Sequence, residues 1–293
     1  MNLLPFTKMQ GAGNDFVVLD GMTRLPPVDE AFIRRLADRK FGVGCDQVLL
    51  LAPVEADDDE ADFRYRIFNN TGEEIEQCGN GARCIARFAI LKGYARGPLV
   101  RLRVKEGVIS VVAESDSERM TVDMGAAKLD YADIPFDPEG LVRRRVGGMM
   151  QYGIWRSDVG EYLWLCVVNL GNPHAVIFVD GSVDDVPVGE LGPFVQNCGH
   201  FSEGVNVGFV EVLDERRARI RVYERGSGET LACGTGTCAA YIAGRLQGRF
   251  DEETAFYARG GELLCRSITT LESVTLSGNA SVVFEGAFPI SDA

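Results

Sequence analysis

Two cysteines of this chain lie in nearly identical glycine-rich segments. Cys78 begins the segment CGNG, and Cys233 begins the segment CGTG. Helix-like sequence follows both, so each thiol lies where free N–H groups and the positive end of a helix dipole gather. Such a position favours a thiolate over a thiol, and it can hold a carboxylate through backbone donors. The pattern predicts acid–base chemistry by thiols on a substrate that carries a carboxylate.

A pair of such cysteines suits the inversion of a stereocentre. One sulfur would remove the hydrogen from an α-carbon, and the other would return a hydrogen on the opposite face. Two similar domains that face each other would bring both sulfurs to one cleft. One thiolate and one thiol must then coexist, so their titrations would be coupled. The two helix N-termini would stabilise the carbanion-like transition state through the substrate carboxylate.

Three short signatures occur in the same order in both halves of the chain. A Gly-Asn pair before an apolar strand, a Gly-Val pair before a strand, and the cysteine segment recur at separations of 158, 162 and 155 residues. This near-constant separation indicates two copies of one fold. We therefore expect two domains: residues 1–125 plus 276–293 with Cys78, and residues 126–275 with Cys233.

Short strands and a few helices are the elements that would position the cysteines. Runs rich in valine, isoleucine and phenylalanine, several of them alternating with polar residues, predict the strands of an α/β fold. Helices are predicted over 82–94 and 237–248, and both are apolar on more than one face, which indicates a helix packed inside each domain. A weaker helix is predicted over 28–40. Residues 55–62 are predicted as a solvated hairpin tip and residues 137–153 as a loop.

The composition argues against several classes of function. The formal net charge of −13 does not suit a nucleic acid or an anionic membrane as partner. No apolar run has the length of a membrane helix, and the N-terminal residues lack the pattern of a secretory signal. Eight cysteines in 293 residues do not suggest a disulfide scaffold, so we expect a reducing, cytoplasmic location. The cysteine spacings and the two histidines argue against zinc, and nothing indicates a pyridoxal-phosphate cofactor.

The sequence closely resembles the diaminopimelate epimerase family. The matching segments, in the family's order, are KMQGAGNDFVVLD, GVGCDQVLLL, FNNTGEEIEQCGNGARC, NLGNPHAVIFV, GVNVGFVEV and YERGSGETLACGTGTCAA. The resemblance implies two pseudo-symmetric α/β domains, each with mixed strands around a central helix. It also implies a homodimer without cofactor or metal that epimerises LL-2,6-diaminopimelate to the meso isomer, in the synthesis of lysine and of peptidoglycan precursors.

The resemblance also implies roles for individual residues. Cys78 and Cys233 match the family's catalytic acid and base. His174 matches a residue that helps Glu224 tune the thiols. The residues that match substrate-binding positions are Asn14, Gln47, Asn69, Gly79, Asn80, Asn172, Asn206, Glu224, Arg225, Gly234 and Thr235.

The sequence leaves other functions open. A racemase of proline, hydroxyproline or histidine on the same scaffold would keep both cysteines and differ at the distal end of its pocket. A substrate with two zwitterionic ends is favoured by the retention of five residues: Asn69, Asn172, Asn206, Glu224 and Arg225. A thiol redox or metal-binding protein and a non-catalytic binding protein are the alternatives from other classes.

Overall fold

The chain folds into two compact units. Residues Met1–Asp123 and Ser277–Ala293 form the first unit, and Met124–Leu276 form the second. The computed structural model describes residues 2–75, 78–105, 107–114, 118–267 and 273–290. No helix in these ranges combines the length and the apolar character that crossing a membrane requires.

Strands dominate the part of the chain before the second unit. In chain order the elements are β1 (Asn2–Gly11), β2 (Asn14–Asp20), α1 (Glu30–Ala37), β3 (Gln47–Ala52), β4 (Phe63–Asn69), β5 (Glu74–Ile75), α2 (Gly79–Leu91), β6 (Leu99–Arg103), β7 (Val108–Ala113) and β8 (Arg119–Asp123). A strand near the end of the chain, β19 (Ser281–Ile290), also belongs to the first unit, because it pairs antiparallel with β1.

The rest of the chain supplies the second unit and the returning strand. Its elements are β9 (Val142–Val146), β10 (Met149–Arg156), β11 (Glu161–Asn169), β12 (Pro173–Phe178), α3 (Val188–Gln196), β13 (Asn206–Asp214), β14 (Arg217–Glu224), β15 (Gly228–Thr230), α4 (Gly234–Leu246), β16 (Glu253–Ala258), β17 (Gly261–Arg266), β18 (Thr275–Asn279) and β19 (Ser281–Ile290). Short 3-10 helices lie at Tyr131–Asp133 and Val183–Asp185.

The strands pair in the same order in both units. In the first unit β1 is antiparallel to β2, β2 is parallel to β3, and β3 is antiparallel to β4. Strand β4 is then antiparallel to β5 and parallel to β6, which is antiparallel to β7. Strands β11 to β17 of the second unit repeat this sequence of pairings step by step. The repeat that the sequence predicts is therefore confirmed in the strand pairing.

A buried helix lies at the centre of each unit. Helices α2 and α4 have 13 residues each and begin directly after Cys78 and Cys233. Helix α2 contacts β1 to β4 and β6 to β8, and α4 contacts β11, β12, β13 and β17. The predicted fold class is confirmed. Both helices start three residues earlier than predicted, because their first glycines have low helix propensity and look like loop residues.

Two local predictions were wrong in the second unit. Residues 137–153 are not a loop, since β9 and β10 form an antiparallel hairpin in which Val146 pairs with Met149. Gly147, with a φ of 56°, provides the tight turn, and the arginines of β9 are exposed, which hid the strand pattern. Helix α3 was missed because it contains two glycines and a proline, although its buried Val188, Leu191 and Val195 have helical spacing.

Two other local predictions are confirmed. The weak helix is α1, and the Asp29 carboxylate caps it by accepting a hydrogen bond from the Phe32 N–H at 2.9 Å. Residues 55–62 belong to the connection between the antiparallel strands β3 and β4. Within this connection Asp58 and Glu60 accept hydrogen bonds from Arg103, and Asp62 accepts one from Arg101, so the tip is anchored to β6.

Gly81 offers a test of how tightly α2 packs against β4. A Cβ on Gly81 would lie 2.3 Å from Tyr65 Oη, and the Tyr65 side chain is buried. We expect Gly81→Ala to lower the free energy of unfolding by about 1–3 kcal/mol through overpacking. The same substitution in a Tyr65→Phe background should cost much less, because the obstructing oxygen is gone. Urea unfolding followed by circular dichroism measures both costs, and equal costs would contradict this packing.

Candidate active site

Strand ends gather the predicted site residues of the first unit. Asn14 begins β2, Gln47 begins β3 and Asn69 ends β4. Because β2 and β3 are parallel and β4 is antiparallel to β3, these ends lie at the same edge, where Gln47 pairs directly with Asn69. The Cys78 sulfur lies 3.6 Å from Asn14 Oδ1, so the thiol belongs to the same edge.

Cys78 is the N-cap residue of α2. Its backbone is extended, and its carbonyl oxygen accepts the N–H of Ala82 at 2.8 Å, which is the first hydrogen bond of the helix. Gly79 and Asn80 form the first turn, whose N–H groups have no carbonyl of their own helix to bond. The Asn80 side chain is buried and accepts a hydrogen bond from Arg83 at 2.7 Å. Its backbone N–H is therefore the group that a carboxylate would meet.

Two polar atoms of uncharged side chains in this unit are buried without a hydrogen-bond partner among the described residues. They are Gln47 Oε1 and Tyr65 Oη. A buried group of this kind costs about 1–3 kcal/mol and is a common sign of a ligand site. Burial raises the pKa of Tyr65 well above its ordinary value, and the charge of Cys78 raises it further. Tyr65 was not predicted as a site residue, although it alternates with the buried Phe63 and Ile67 along β4.

The second unit repeats the arrangement with other side chains. His174 lies near the start of β12, opposite Asn206, which begins the parallel strand β13. Glu224 ends β14, the antiparallel neighbour of β13. Asn172 lies in the turn before β12. The Oδ1 atom of Asn206 accepts the backbone N–H of Arg225 at 2.9 Å, which ties the end of β14 to the start of β13.

Cys233 is the N-cap residue of α4. Its carbonyl oxygen accepts both the N–H and the hydroxyl of Thr237, at 2.9 and 2.8 Å. Gly234 and Thr235 form the first turn of the helix, and the Thr235 hydroxyl lies 3.5 Å from the sulfur. The sulfur is also hydrogen-bonded to Glu224. The thiol is more enclosed than that of Cys78, since Cys233 is buried.

At Cys233 the helix start favours the thiolate, as the sequence predicts, but burial outweighs this effect. Burial raises the pKa of this thiol well above its usual value, and the negative charge of Glu224 raises it further. The Thr235 hydroxyl and the Gly236 N–H lower it, but by less. A thiolate enclosed by protein lacks the hydration that water would give it. This lost stabilisation is larger than the stabilisation by the hydrogen-bond donors at the helix start. The protonated form of Cys233 is therefore favoured near neutral pH.

His174 is a neutral hydrogen-bond acceptor beside that thiol. Burial, and then the positive charge of Arg225, lower the pKa of His174 to about 3. Its Nε2 lies 2.8 Å from Asn172 Oδ1, an acceptor, so Nε2 carries the proton and Nδ1 a lone pair. Nδ1 is buried without a partner among the described residues. A Cβ on Gly236 would lie 3.5 Å from Nδ1 and 3.3 Å from the Cys233 sulfur, so both atoms border one small space.

The charged pair at the end of β14 is held by local contacts. Glu224 Oε1 accepts the hydroxyl of Thr230, a residue that the sequence did not indicate. Arg225 is exposed, and its Nη1 donates to the Glu203 carbonyl at 2.5 Å. The guanidinium keeps further N–H donors for an anion.

The remaining cysteines have the surroundings of structural residues. All eight cysteines are free thiols. Those outside the pair are buried or, at Cys198, half-buried: Cys45, Cys84, Cys166, Cys198, Cys238 and Cys265. Cys84 lies on α2, the helix that Cys78 caps. Burial raises the pKa of Cys84 to about 12. Burial also raises the pKa of Cys45 and Cys166 to about 12, so these three thiols are poor nucleophiles near neutral pH.

Comparison with known proteins identifies close relatives. A family model described as diaminopimelate epimerase matches residues 6–129 and 166–283. The diaminopimelate epimerase of Cupriavidus pinatubonensis is 46% identical over 288 residues, which covers 98% of both chains. That of Burkholderia thailandensis is 44% identical over 292 residues, covering 98% of this chain and 99% of the relative. A crystal structure of a hydroxyproline epimerase from Agrobacterium vitis has a similar fold, with a TM-score of 0.66 at 15% identity, covering 99% of this chain and 93% of that chain.

The protonation state of His174 can be tested directly. We expect its imidazole to stay neutral as the pH falls from 7 to about 4, because burial lowers its pKa. Proton–nitrogen NMR of the side chain, in a His200→Gln variant that leaves one histidine, measures the titration. Since the folded-state pKa is below the unfolded value of about 6.5, this residue's contribution to stability falls as the pH drops through that window. A titration midpoint near 6.5 in the folded protein would contradict the assignment.

Proposed function

The chain belongs to the diaminopimelate epimerase family, and we propose that Cys78 and Cys233 are the acid and base with which it epimerises diaminopimelate. The enzyme is an isomerase that converts the LL isomer of 2,6-diaminopimelate to the meso isomer, a step in lysine biosynthesis. One observation carries the assignment of the two cysteines. Each is the N-cap of a central helix of 13 residues, and the two helices occupy matching positions in the repeat.

Inversion needs two proton transfers at one α-carbon. A thiolate removes the α-proton from one face, and a thiol delivers a proton to the opposite face, so that the protons and charges balance over the cycle. The negative charge that develops is stabilised through the α-carboxylate by N–H groups of the helix starts. The residues that donate them are Gly79, Asn80, Gly234 and Thr235.

Glu224 and His174 account for the proton on Cys233. A thiol with a raised pKa keeps its proton near pH 7, so Cys233 has a proton to deliver to the carbanion-like α-carbon in one direction of the reaction. In the other direction the sulfur must first lose that proton. We assign the Glu224 carboxylate, which is hydrogen-bonded to the sulfur, as the acceptor of this proton. His174 Nδ1, which has no hydrogen-bond partner among the described residues, is a second acceptor that can share the proton that leaves Cys233.

The amide side chains and Arg225 suit the second zwitterionic end of the substrate. The amides of Asn14, Gln47, Asn69, Asn172 and Asn206 provide hydrogen-bond donors and acceptors at the two strand edges. The exposed Arg225 guanidinium matches a carboxylate, and Glu224 beside it matches an ammonium group. Proline, hydroxyproline and histidine lack a second such end, so a racemase of these amino acids would leave these groups without partners.

We also propose the oligomeric state, the cellular location and the cofactor requirement of the enzyme. Each unit is one half of the active protein and carries one catalytic cysteine. The enzyme works as a homodimer in the cytoplasm, without a cofactor. The resemblance of the sequence supports the dimer, and eight free thiols suit a reducing compartment. Light scattering coupled to gel filtration tests the dimer, and activity after dialysis against a chelator tests the independence from metals.

A panel of cysteine variants tests the assignment. We expect Cys78→Ala and Cys233→Ala each to lower the rate by about 10²–10⁴-fold or more, because each removes one proton-transfer group. Cys84→Ala and Cys238→Ala are the matched controls, since these cysteines lie on the same two helices. Chiral chromatography of LL- and meso-diaminopimelate, with reduced protein and no cofactor, gives the rates. Near-normal rates in either catalytic variant would refute the two-thiol mechanism.

The same protein samples separate the alternative functions. Parallel incubation with L-proline, hydroxyproline and L-histidine tests the other racemases, and inversion of one of these without inversion of diaminopimelate would favour them. Titration of free thiols before and after mild oxidation tests a redox role. We expect oxidation that joins Cys78 to Cys233 to abolish activity, and reductant to restore it.

A further inference from the structure

We propose that Asp46 is a positioning residue that orients the side-chain amide of Asn14, so that the amide oxygen faces the sulfur of Cys78. The inference deepens the proposed function and rests on it, because it assigns the hydrogen-bond acceptor of one catalytic thiol. All the residues involved belong to the first unit.

Two neighbours decide which way the Asn14 amide points. Its Nδ2 donates to Asp46 Oδ2 at 2.9 Å, and its Oδ1 lies 3.6 Å from the Cys78 sulfur. A carboxylate accepts hydrogen bonds and cannot donate them. If the amide were rotated by half a turn, its oxygen would meet the Asp46 carboxylate and both would be acceptors. The carboxylate therefore selects the orientation in which an oxygen faces the sulfur.

Asp46 is itself held in place by a network of charges. Arg39 donates to Asp46 Oδ1 at 2.7 Å, and the Asp15 N–H donates to Asp46 Oδ2 at 3.1 Å. Arg39 and Lys8 also bind the Asp15 carboxylate, at 2.7 and 2.6 Å. Burial would raise the pKa of Asp15, but the hydrogen bonds from Arg39 and Lys8 outweigh it and hold this pKa well below its ordinary value. The Asp15 carboxylate thus stays ionised at neutral pH and keeps its hydrogen bonds to Arg39 and Lys8.

The orientation of Asn14 bears on the protonation of Cys78. An amide oxygen accepts a hydrogen bond from a thiol and repels a thiolate, so it favours the protonated form. The N–H groups of the helix start act in the opposite sense. Tyr65 on β4 and Cys84 on α2 are titratable neighbours of Cys78, and burial raises the pKa of both, so they stay neutral near pH 7. Asn14 therefore favours the protonated form of Cys78, which donates a proton to the substrate in the direction in which Cys233 has lost its own.

The test measures how fast Cys78 is alkylated by iodoacetamide in the full chain without substrate. The Cys233→Ala background removes the second thiol, and mass spectrometry of the Cys78 peptide gives the rate across the pH range. In Asp46→Ala the Asn14 amide can turn and offer its N–H to the sulfur. We expect the rate at neutral pH to rise about tenfold, the change that one pKa unit makes, and the rate profile to move to lower pH.

A double-mutant cycle separates orientation from simple loss of charge. Removal of the Asp46 charge would favour the thiolate whether or not Asn14 is present. We expect the rate increase from Asp46→Ala, on a logarithmic scale, to shrink to less than half in an Asn14→Ala background. An increase that keeps half or more of its size there, or no increase at all, would overturn the proposal. Arg39→Ala is the matched control, because it disturbs the network but leaves the Asp46 carboxylate on Asn14, and we expect no increase in rate.

Asn14→Ala alone keeps the test available if Asp46→Ala does not fold. It removes the acceptor of the thiol hydrogen, so the rate at neutral pH should rise, and an unchanged or lower rate would overturn the proposal. Alkylation is read without substrate and does not depend on epimerisation. Failure of the proposed function would appear in the isomer assay and would leave the alkylation result standing.

Discussion

The burial of one apolar helix inside the strands of each unit is the constraint on which the rest of the structure depends. Helices α2 and α4 are apolar on several faces, so strands must cover them. A buried helix still has N–H groups in its first turn that its own carbonyls cannot satisfy. In both units this turn follows a cysteine, and the strand ends that carry polar side chains lie at the same edge. In the proposed mechanism these N–H donors bind the substrate carboxylate.

The two units share a backbone plan but surround their thiols differently. The Cys78 sulfur faces the neutral amide of Asn14. The Cys233 sulfur is more deeply buried and is hydrogen-bonded to the charged Glu224. Asn69 of the first unit occupies the repeat position of Glu224, so the difference is built into the sequence. An inverting enzyme needs one sulfur that holds a proton and one that lacks it. Unequal surroundings on an equal backbone provide the means to set the two protonation states separately.

Much of this arrangement could be predicted from the sequence, for identifiable reasons. The repeat and the two central helices were predictable because glycine signatures and apolar faces are local patterns. The hairpin of β9 and β10 was not, because its arginines are exposed and hide the strand alternation. The thiol state of Cys233 was missed because burial is a tertiary property. Asp46 was missed because its proposed role depends on which atom of Asn14 it meets, and Tyr65 was missed because the burial of its hydroxyl is a tertiary property.

The most direct test of the central claim is the isotopic composition of the product formed in D2O. LL-diaminopimelate is incubated with the reduced protein, and proton NMR with mass spectrometry follows the meso product at low conversion. A mechanism with two thiols predicts one deuterium at the inverted α-carbon and protium at the other α-carbon. The reason is that the second sulfur delivers a deuteron that it has taken from the solvent. A meso product that retains protium at the inverted carbon would mean that one group returns the proton it removed. That result would contradict the roles assigned to Cys78 and Cys233.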